Sequence, residues 1–310
     1  MKKISSDQFT TWWSPYNKPA VYVDSGESVQ ITVRDTYQDL MVDADSRRLR
    51  ELAGVAVNPV NLPIYVNDAM PGDTIKVTIE RITPTSDATF IMDHPGVCEG
   101  FREFITDYTT IKVPVNAEEG YAEMYGNKIP LRPLLGCIGV APKTNISTFD
   151  QGDFCGNIDC KEVIAGNILY LPVQVPGGLV STGDLHARQG DGEIVSGLEV
   201  SGEVVLKLEL IKNICEKWPI LESPDRWYTI VSVPSMFDAA QMACKEAAKF
   251  IMARSDRYEP YQMLTLLSIC GDVQVNEMVD PVVSMRYGFD KKLFPDLTFE
   301  GKVRDYHQYH

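Results

Sequence analysis

Four short motifs are missing from this sequence, and each absence removes a class of chemistry. There is no GxGxxG and no GxxxxGK[ST], so nucleotide cofactors have no glycine-rich phosphate cradle to bind. There is no GxSxG, which disfavours a serine hydrolase of the α/β type. There is no CxxC, and the seven cysteines (Cys98, Cys137, Cys155, Cys160, Cys215, Cys244 and Cys270) are scattered and odd in number. A chain this long needs no disulfide scaffold, so reduced thiols in a cytosol are the expectation. Positive charge is also scarce. Lys and Arg total 29 against 43 Asp and Glu, a formal net charge of -14, which repels phosphate backbones and excludes nucleic acid as a partner. No apolar run is long enough to span a bilayer, and the start MKKISSDQFTTWW has two lysines but no apolar stretch behind them. The expectation is a cytoplasmic protein without a membrane partner, in which the sequon Asn145-Ile146-Ser147 goes unused.

What is present is β-rich. The 310 residues suffice for a large core. Residues 20–34 read as a hairpin about the turn Asp24-Ser25-Gly26-Glu27, with Val29, Ile31 and Val33 alternating. Pro71-Gly72-Asp73 separates two further strands, the second alternating at Ile75, Val77 and Ile79. Strands follow at 108–115 and 134–141, where Gly136 and Gly139 permit close backbone approach. Arg132 just before them is suited to bind an anion or pair with a carboxylate. Residues 194–214 read as a hairpin about Ser201-Gly202, with Glu199 facing water or, if turned inward, a further ligand candidate. Residues 40–56 are charged and read as a surface loop or short helix. The period then changes. Residues 235–254 space Ala240, Ala243, Ala247 and Ile251 as an amphipathic helix with Ser235 as N-cap, and its small face predicts close packing. A second helix fits 259–272, with Met263, Leu264 and Leu267 on its apolar face and Gly271 at its end. QVNEMVDPVVSMRYGF returns to strand.

The chemistry concentrates in Gly177–Glu193, GGLVSTGDLHARQGDGE, directly after the apolar run ILYLPVQV. It packs Asp184, His186, Gln189, Asp191 and Glu193 among glycines. Nitrogen and oxygen ligands, a proton-transfer carboxylate and exposed backbone N–H groups thus fall within one short span. Two weaker clusters stand beside it. Asn157 and Asp159, two apart in CGNIDCKE, share a side if the backbone is extended, and there they serve either as ligands or as turn caps. Asp35 closes a strand, a place where site residues and solvated turn residues both occur. In DHPGVCEGFREF, His94, Cys98 and Glu99 offer a competing thiol site.

PVNLPIYVNDAMPGDTIKVTIERI, LRPLLGCIGVAP, CGNIDCKEVIAGNILYLPVQVPGGLVSTGDLHARQGDGE and GDVQVNEMVDP, in that order, resemble the acetamidase/formamidase family over about residues 15–290. The resemblance implies a mainly β fold, a β-sandwich or barrel-like core with a small α/β portion near the C-terminus. It also implies one domain over 1–310, subdivided if at all near 215–225, and a homo-oligomer, taken as a homodimer. The implied activity is hydrolysis of a small linear amide to a carboxylate and ammonia, with a divalent metal, zinc or calcium. The implied ligands are His186, Asp159, Asp35 and Asp184. From the clustering of acids about His186, the expected catalytic residues are Glu193, Asp191 and Asn157, with Glu193 carrying the proton and Asn157 or a glycine N–H near 190–192 facing the oxyanion. The chain departs from the family where His-Gly-Gly-Asn is common. Here it reads Phe154-Cys155-Gly156-Asn157, and a phenyl ring neither ligates a metal nor relays a proton. The alternatives are a cysteine-dependent amidase using Cys98 or Cys155, and a non-catalytic metal or small-molecule binding homologue.

Overall fold

The computed structural model describes residues 1–41, 55–93, 99–101, 103–107, 109–301 and 303. Most of the charged stretch 40–56, together with His94 and Cys98, lies outside the described residues. The fold is mainly β. A nine-stranded sheet runs in the order Lys2–Ile4, Glu27–Val33, Gly202–Ile211, Thr74–Pro84, Ile168–Pro172, Ile220–Glu222, Arg226–Val233, Val283–Asp290, Asp272–Glu277. A second sheet is ordered Gln151–Gly152, Cys155–Asn157, Leu134–Gly139, Ser181–His186, Val60–Asn61, Phe9–Thr10, with Glu199–Val200 also paired to Ser181–His186.

Strict alternation explains why the central strands sit where they do. Ile75, Val77 and Ile79 turn to one side of Thr74–Pro84, as do Val204, Leu206 and Leu208 of Gly202–Ile211, and all are fully buried. They share one apolar cluster with Leu135, Cys137, Ile138 and Leu185 of the second sheet. Burying each such aliphatic side chain contributes roughly 1.5–3 kcal/mol.

The helix Met236–Met252 starts at Ser235, whose side chain accepts from Asp238 N. It lays Ala239, Ala243 and Ala247 against Trp227, Val231 and Met285 in a second cluster. The alanines let the helix backbone approach closely enough for Thr229 Oγ1 to donate to Ala243 O at 2.7 Å. The helix Pro260–Cys270 ends at Gly271 as expected and buries Met263 and Leu267, but Leu264 is exposed.

Two hairpins expected from the sequence are not formed. Val21–Val23 pairs in parallel with Ile64–Val66, whereas Glu27–Val33 pairs with Lys2–Ile4 and Gly202–Ile211. The intervening turn exists, with Glu27 N donating to Asp24 O, but Gly26 N donates across to Leu208 O. It passes the chain from one sheet to another. Ser201-Gly202 does the same, since Glu199–Val200 belongs to the second sheet and Gly202–Ile211 to the first. Alternation reports that a strand is half-buried and is silent about its partner.

Candidate functional site

Ser181–His186 is buried along its whole length and carries Asp184 and His186 two apart. Its neighbour Glu199–Val200 sets Glu199 directly opposite His186 in the register, which corrects the expectation that Glu199 faces water. On the other flank runs Leu134–Gly139, where Gly136 O accepts from both Ile158 N and Asp159 N and draws Asp159 in. Gly136 needs to be glycine, because a Cβ there would collide with Asp159 Oδ1 and Asp184 Oδ2. Gly197 backs the His186 ring in the same way.

The result is one imidazole among carboxylates. His186 Nε2 lies 3.0 Å from Glu199 Oε2, 3.5 Å from Asp184 Oδ2 and 3.7 Å from Asp159 Oδ1. Ligand atoms of Asp159, His186 and Glu193 lie within 4.8 Å of one another, as do those of Asp184, His186 and Glu199. The opposite ring nitrogen, Nδ1, meets Gln189 Oε1 at 2.6 Å, and Gln189 Nε2 donates to Asp159 O at 2.5 Å. That second bond orients the amide, so its oxygen faces the ring, Nδ1 carries a hydrogen, and Nε2 is the nitrogen left facing the carboxylates, a ligand atom once a cation displaces its proton.

Electrostatics follow from packing four carboxylates into one buried cluster. Burial pushes Glu193 up to about 8 and Glu199 up to about 7, against the pull of His186. Burial, reinforced by Glu193 and Asp184, raises Asp159 well above the usual range. Burial alone would raise Asp184, but His186 beside it holds it below its ordinary value. Burial alone would lower His186, and Glu199 and Asp184 instead lift it well above 6.5.

The donor set fits a divalent cation. Asp159 Oδ1, Asp184 Oδ1, His186 Nε2 and Glu199 Oε2 are all buried without a hydrogen-bond partner, and each such atom costs about 1–3 kcal/mol if left so. A tetrahedral ion with ligands at about 2.1 Å spaces them about 3.4 Å apart, and the separations of 3.0, 3.5 and 3.7 Å from Nε2 to Glu199 Oε2, to the other Asp184 oxygen, Oδ2, and to Asp159 Oδ1 bracket that value.

The cluster opens into a cavity of ≈ 390 Å³ whose wall includes Thr36, Asn58, Asn157, Ser196 and Asp280. Asn157 is therefore brought to the site. Its Oδ1 accepts from Asn58 Nδ2 and from Cys137 Sγ, both at 2.9 Å, and its Nδ2 donates to Asp280 Oδ2 at 3.1 Å. Asn58 carried no sequence signal beyond its residue type, and Asp280 none beyond its place in the motif GDVQVNEMVDP.

Asp35 and Asp191 sit apart from both groups of ligand atoms. Asp35 Oδ1 accepts from Asp39 N at 2.7 Å, and burial pushes its carboxyl up to about 6. Asp191 is paired with Lys161 Nζ and Arg286 Nη2, each at 2.7 Å. Arg132 pairs with Glu162 at 2.6 Å, the carboxylate alternative. Phe154 is buried against Trp13 in the apolar core, ring centroids 5.8 Å apart, and is not on the cavity wall. Cys155 is fully buried and burial raises its thiol well above the ordinary value, the opposite of an activated nucleophile.

The family model for the acetamidase/formamidase family matches residues 2–151 and 146–285. The chain belongs to that family. It superposes on the acetamidase of Bacillus halodurans with a TM-score of 0.87 and 30% identity, covering 95% of this chain and 99% of that one. On the acetamidase of Yersinia enterocolitica the TM-score is 0.84 at 27% identity, over 94% and 92% of the two chains. The formamidase of Methylophilus methylotrophus is 43% identical over 75 residues, 24% of this chain and 18% of that protein. The match thus spans less than a fifth of that curated relative.

Proposed function

We propose that this acetamidase/formamidase family member hydrolyses the C–N bond of a short linear amide to a carboxylate and ammonia. The observation that carries the proposal is the set of partnerless buried atoms on Asp159, Asp184, His186 and Glu199 at the floor of an open cavity. These residues would hold a divalent ion, which when bound lowers the pKa of water and polarises a carbonyl. A nitrogen ligand among carboxylates favours zinc over calcium, which takes six to eight oxygens.

Glu193 takes the proton from the attacking water and returns it to the leaving nitrogen, because an amine leaves poorly unless protonated. Its raised pKa places it near the operating pH for both transfers. Asn157 is fixed by its three hydrogen bonds, so its Nδ2 faces the developing oxyanion without reorganisation. Asp191 acts at one remove. Anchored by Arg286 and Lys161, it holds the turn that presents Glu193, and Gly192 N donating to Asn276 O at 3.0 Å secures the same turn.

The test is an ammonia-release screen over short aliphatic amides on metal-analysed protein, with and without chelator. Release that stops on chelation and returns with zinc is the expected result. Release that survives chelation but not thiol alkylation would replace this mechanism with a cysteine-dependent one, and binding without release would make the chain a non-catalytic homologue. Glu193→Gln should retain metal and lose about 10²-fold or more in turnover; near-wild-type turnover removes its role. The homodimer expected from the sequence resemblance is part of the same proposal, and sedimentation of the purified protein checks it.

A further inference from the structure

Across the cavity from the carboxylate cluster, a chain of side chains is ordered in one direction. Thr36 Oγ1 bonds Asn58 Oδ1, Asn58 Nδ2 donates to Asn157 Oδ1 at 2.9 Å, and Asn157 Nδ2 donates to Asp280 Oδ2 at 3.1 Å. All four residues line the cavity. The Asn157 carbonyl oxygen, taken by Asn58 and Cys137, has no lone pair to spare, and that of Asn58 is already held by Thr36. Ser196 Oγ turns its hydrogen to Gly197 O and Glu199 Oε1, and a neutral hydroxyl accepts more weakly than a carboxylate.

The chain ends on a carboxylate. Asp280 is held in place by its backbone, whose N–H donates to Glu277 Oε1 at 2.6 Å. Among the described residues, Asn157 is the side chain that donates to Asp280, and no lysine or arginine lies within ion-pair distance of it. A carboxylate accepts about four hydrogen bonds, so Asp280 retains acceptor capacity on the cavity wall.

A primary amide has one acceptor oxygen and two N–H donors. The cation-binding floor and Asn157 Nδ2 serve the oxygen, which leaves the nitrogen in need of an acceptor outside the cluster. On the hydrolase reading of this cavity, which the inference shares, we infer that Asp280 is the specificity-determining residue that accepts an N–H of the substrate amide. The site thereby selects unsubstituted carboxamides. Burial and Glu277 push Asp280 up to about 8. That is the state of a carboxyl short of donors, and a substrate N–H favours its charged form.

The experiment compares acetamide with N-methylacetamide as substrates, reading ammonia and methylamine release, for the wild type and Asp280→Asn. Asparagine keeps an oxygen for Asn157 Nδ2 and puts an NH2 where the free oxygen stood, so donor faces donor. The KM for acetamide should rise about 10-fold or more with kcat held within about 3-fold, and the preference for acetamide over N-methylacetamide should fall by about 10-fold or more. An unchanged preference in a variant with wild-type metal content and Tm overturns the assignment of Asp280 and leaves the hydrolase reading standing. A wild type that releases ammonia from no amide removes both.

A second measurement serves if the variant fails to fold. Acetone has the shape of acetamide without its N–H groups, and should compete for the wild-type site at least about 10-fold more weakly than acetamide. Equal competition overturns the inference.

Discussion

Replacing Gln189 with Met tests whether a neutral amide outside the cluster decides what the cluster binds. Gln189 is buried, and its two hydrogen bonds are the 2.6 Å contact to His186 Nδ1 and the 2.5 Å donation to Asp159 O. Met matches it in length and adapts to the space, so the change removes hydrogen bonding with little change in packing. Nδ1–H and the Asp159 carbonyl are then both stranded. At about 1–3 kcal/mol for each unsatisfied buried group, stability falls by about 2–6 kcal/mol. The larger consequence is at Nε2. Without an acceptor at Nδ1 the imidazole is free to carry its hydrogen on the nitrogen that faces Glu199, Asp184 and Asp159, and metal affinity falls about 10–100-fold. The assay is zinc competition against a chromophoric chelator, paired with long-range ¹H–¹⁵N spectra of the zinc-loaded protein to read which ring nitrogen keeps its hydrogen. Zinc affinity within twofold of wild type, with Nδ1 still protonated, would refute the argument that Gln189 sets the ligand nitrogen.

Three further outcomes follow from the same geometry. Asp191→Asn removes the carboxylate 2.7 Å from the fully buried Arg286 and leaves it Glu162 at 4.0 Å, so stability should drop by about 1–3 kcal/mol. If the ion pair holds Glu193 in place, kcat should fall about 10-fold or more with KM little changed; kcat at the wild-type value sinks that role. Asp73 is buried, and although burial alone would raise it, Lys212 and the Asn213 and Met70 N–H groups bring its carboxyl below 3.8. Its folded pKa lies below its unfolded one, so its stabilisation is full above the unfolded value and lost as pH falls through the folded value. Denaturant titrations should find Asp73→Asn less stable by about 1–3 kcal/mol at pH 7, with the gap closing below about pH 4. Phe154→His buries an imidazole against Trp13 in the apolar core, and thermal melts and metal analysis should show about 2–5 kcal/mol lost with no gain in bound zinc.

What the sequence discloses of this protein depends on how local the determinant is. Ser235 and Gly271 punctuate their helices because capping is decided within a few residues, and the alternation at Ile75, Val77 and Ile79 marks a buried strand face on its own. Pairing is not local. The turn at Asp24–Glu27 looks the same whether the flanking strands pair with each other or, as here, with Ile64–Val66 and Gly202–Ile211. The site divides along the same line. Asp184 and His186 are two apart on one strand and can be read together, whereas Glu199 joins them through cross-strand register and Asp280 through a hydrogen bond 123 residues away in sequence from Asn157. Phe154 shows the converse error. Its position in the family motif draws it toward the site, but its ring lies in the core beside Trp13.

The backbone carries an independent argument that the cluster is a functional arrangement. Asp159, Asp184 and Glu193 have φ of 43°, 51° and 39°, the left-handed region that costs a non-glycine residue about 1–2 kcal/mol. Three of the five groups that converge on one point are therefore held in unfavourable backbone geometry. The same point has four buried polar atoms without partners and an excess of like charge. Local strain, lost hydrogen bonds and carboxylate repulsion each oppose folding, and in a region serving only stability an apolar repacking would relieve all three. A bound cation relieves the last two at once, by partnering the stranded atoms and balancing the carboxylates. The strained φ values remain, and what they accomplish is orientation: they turn three carboxylates from different segments toward a single imidazole nitrogen before any ligand arrives.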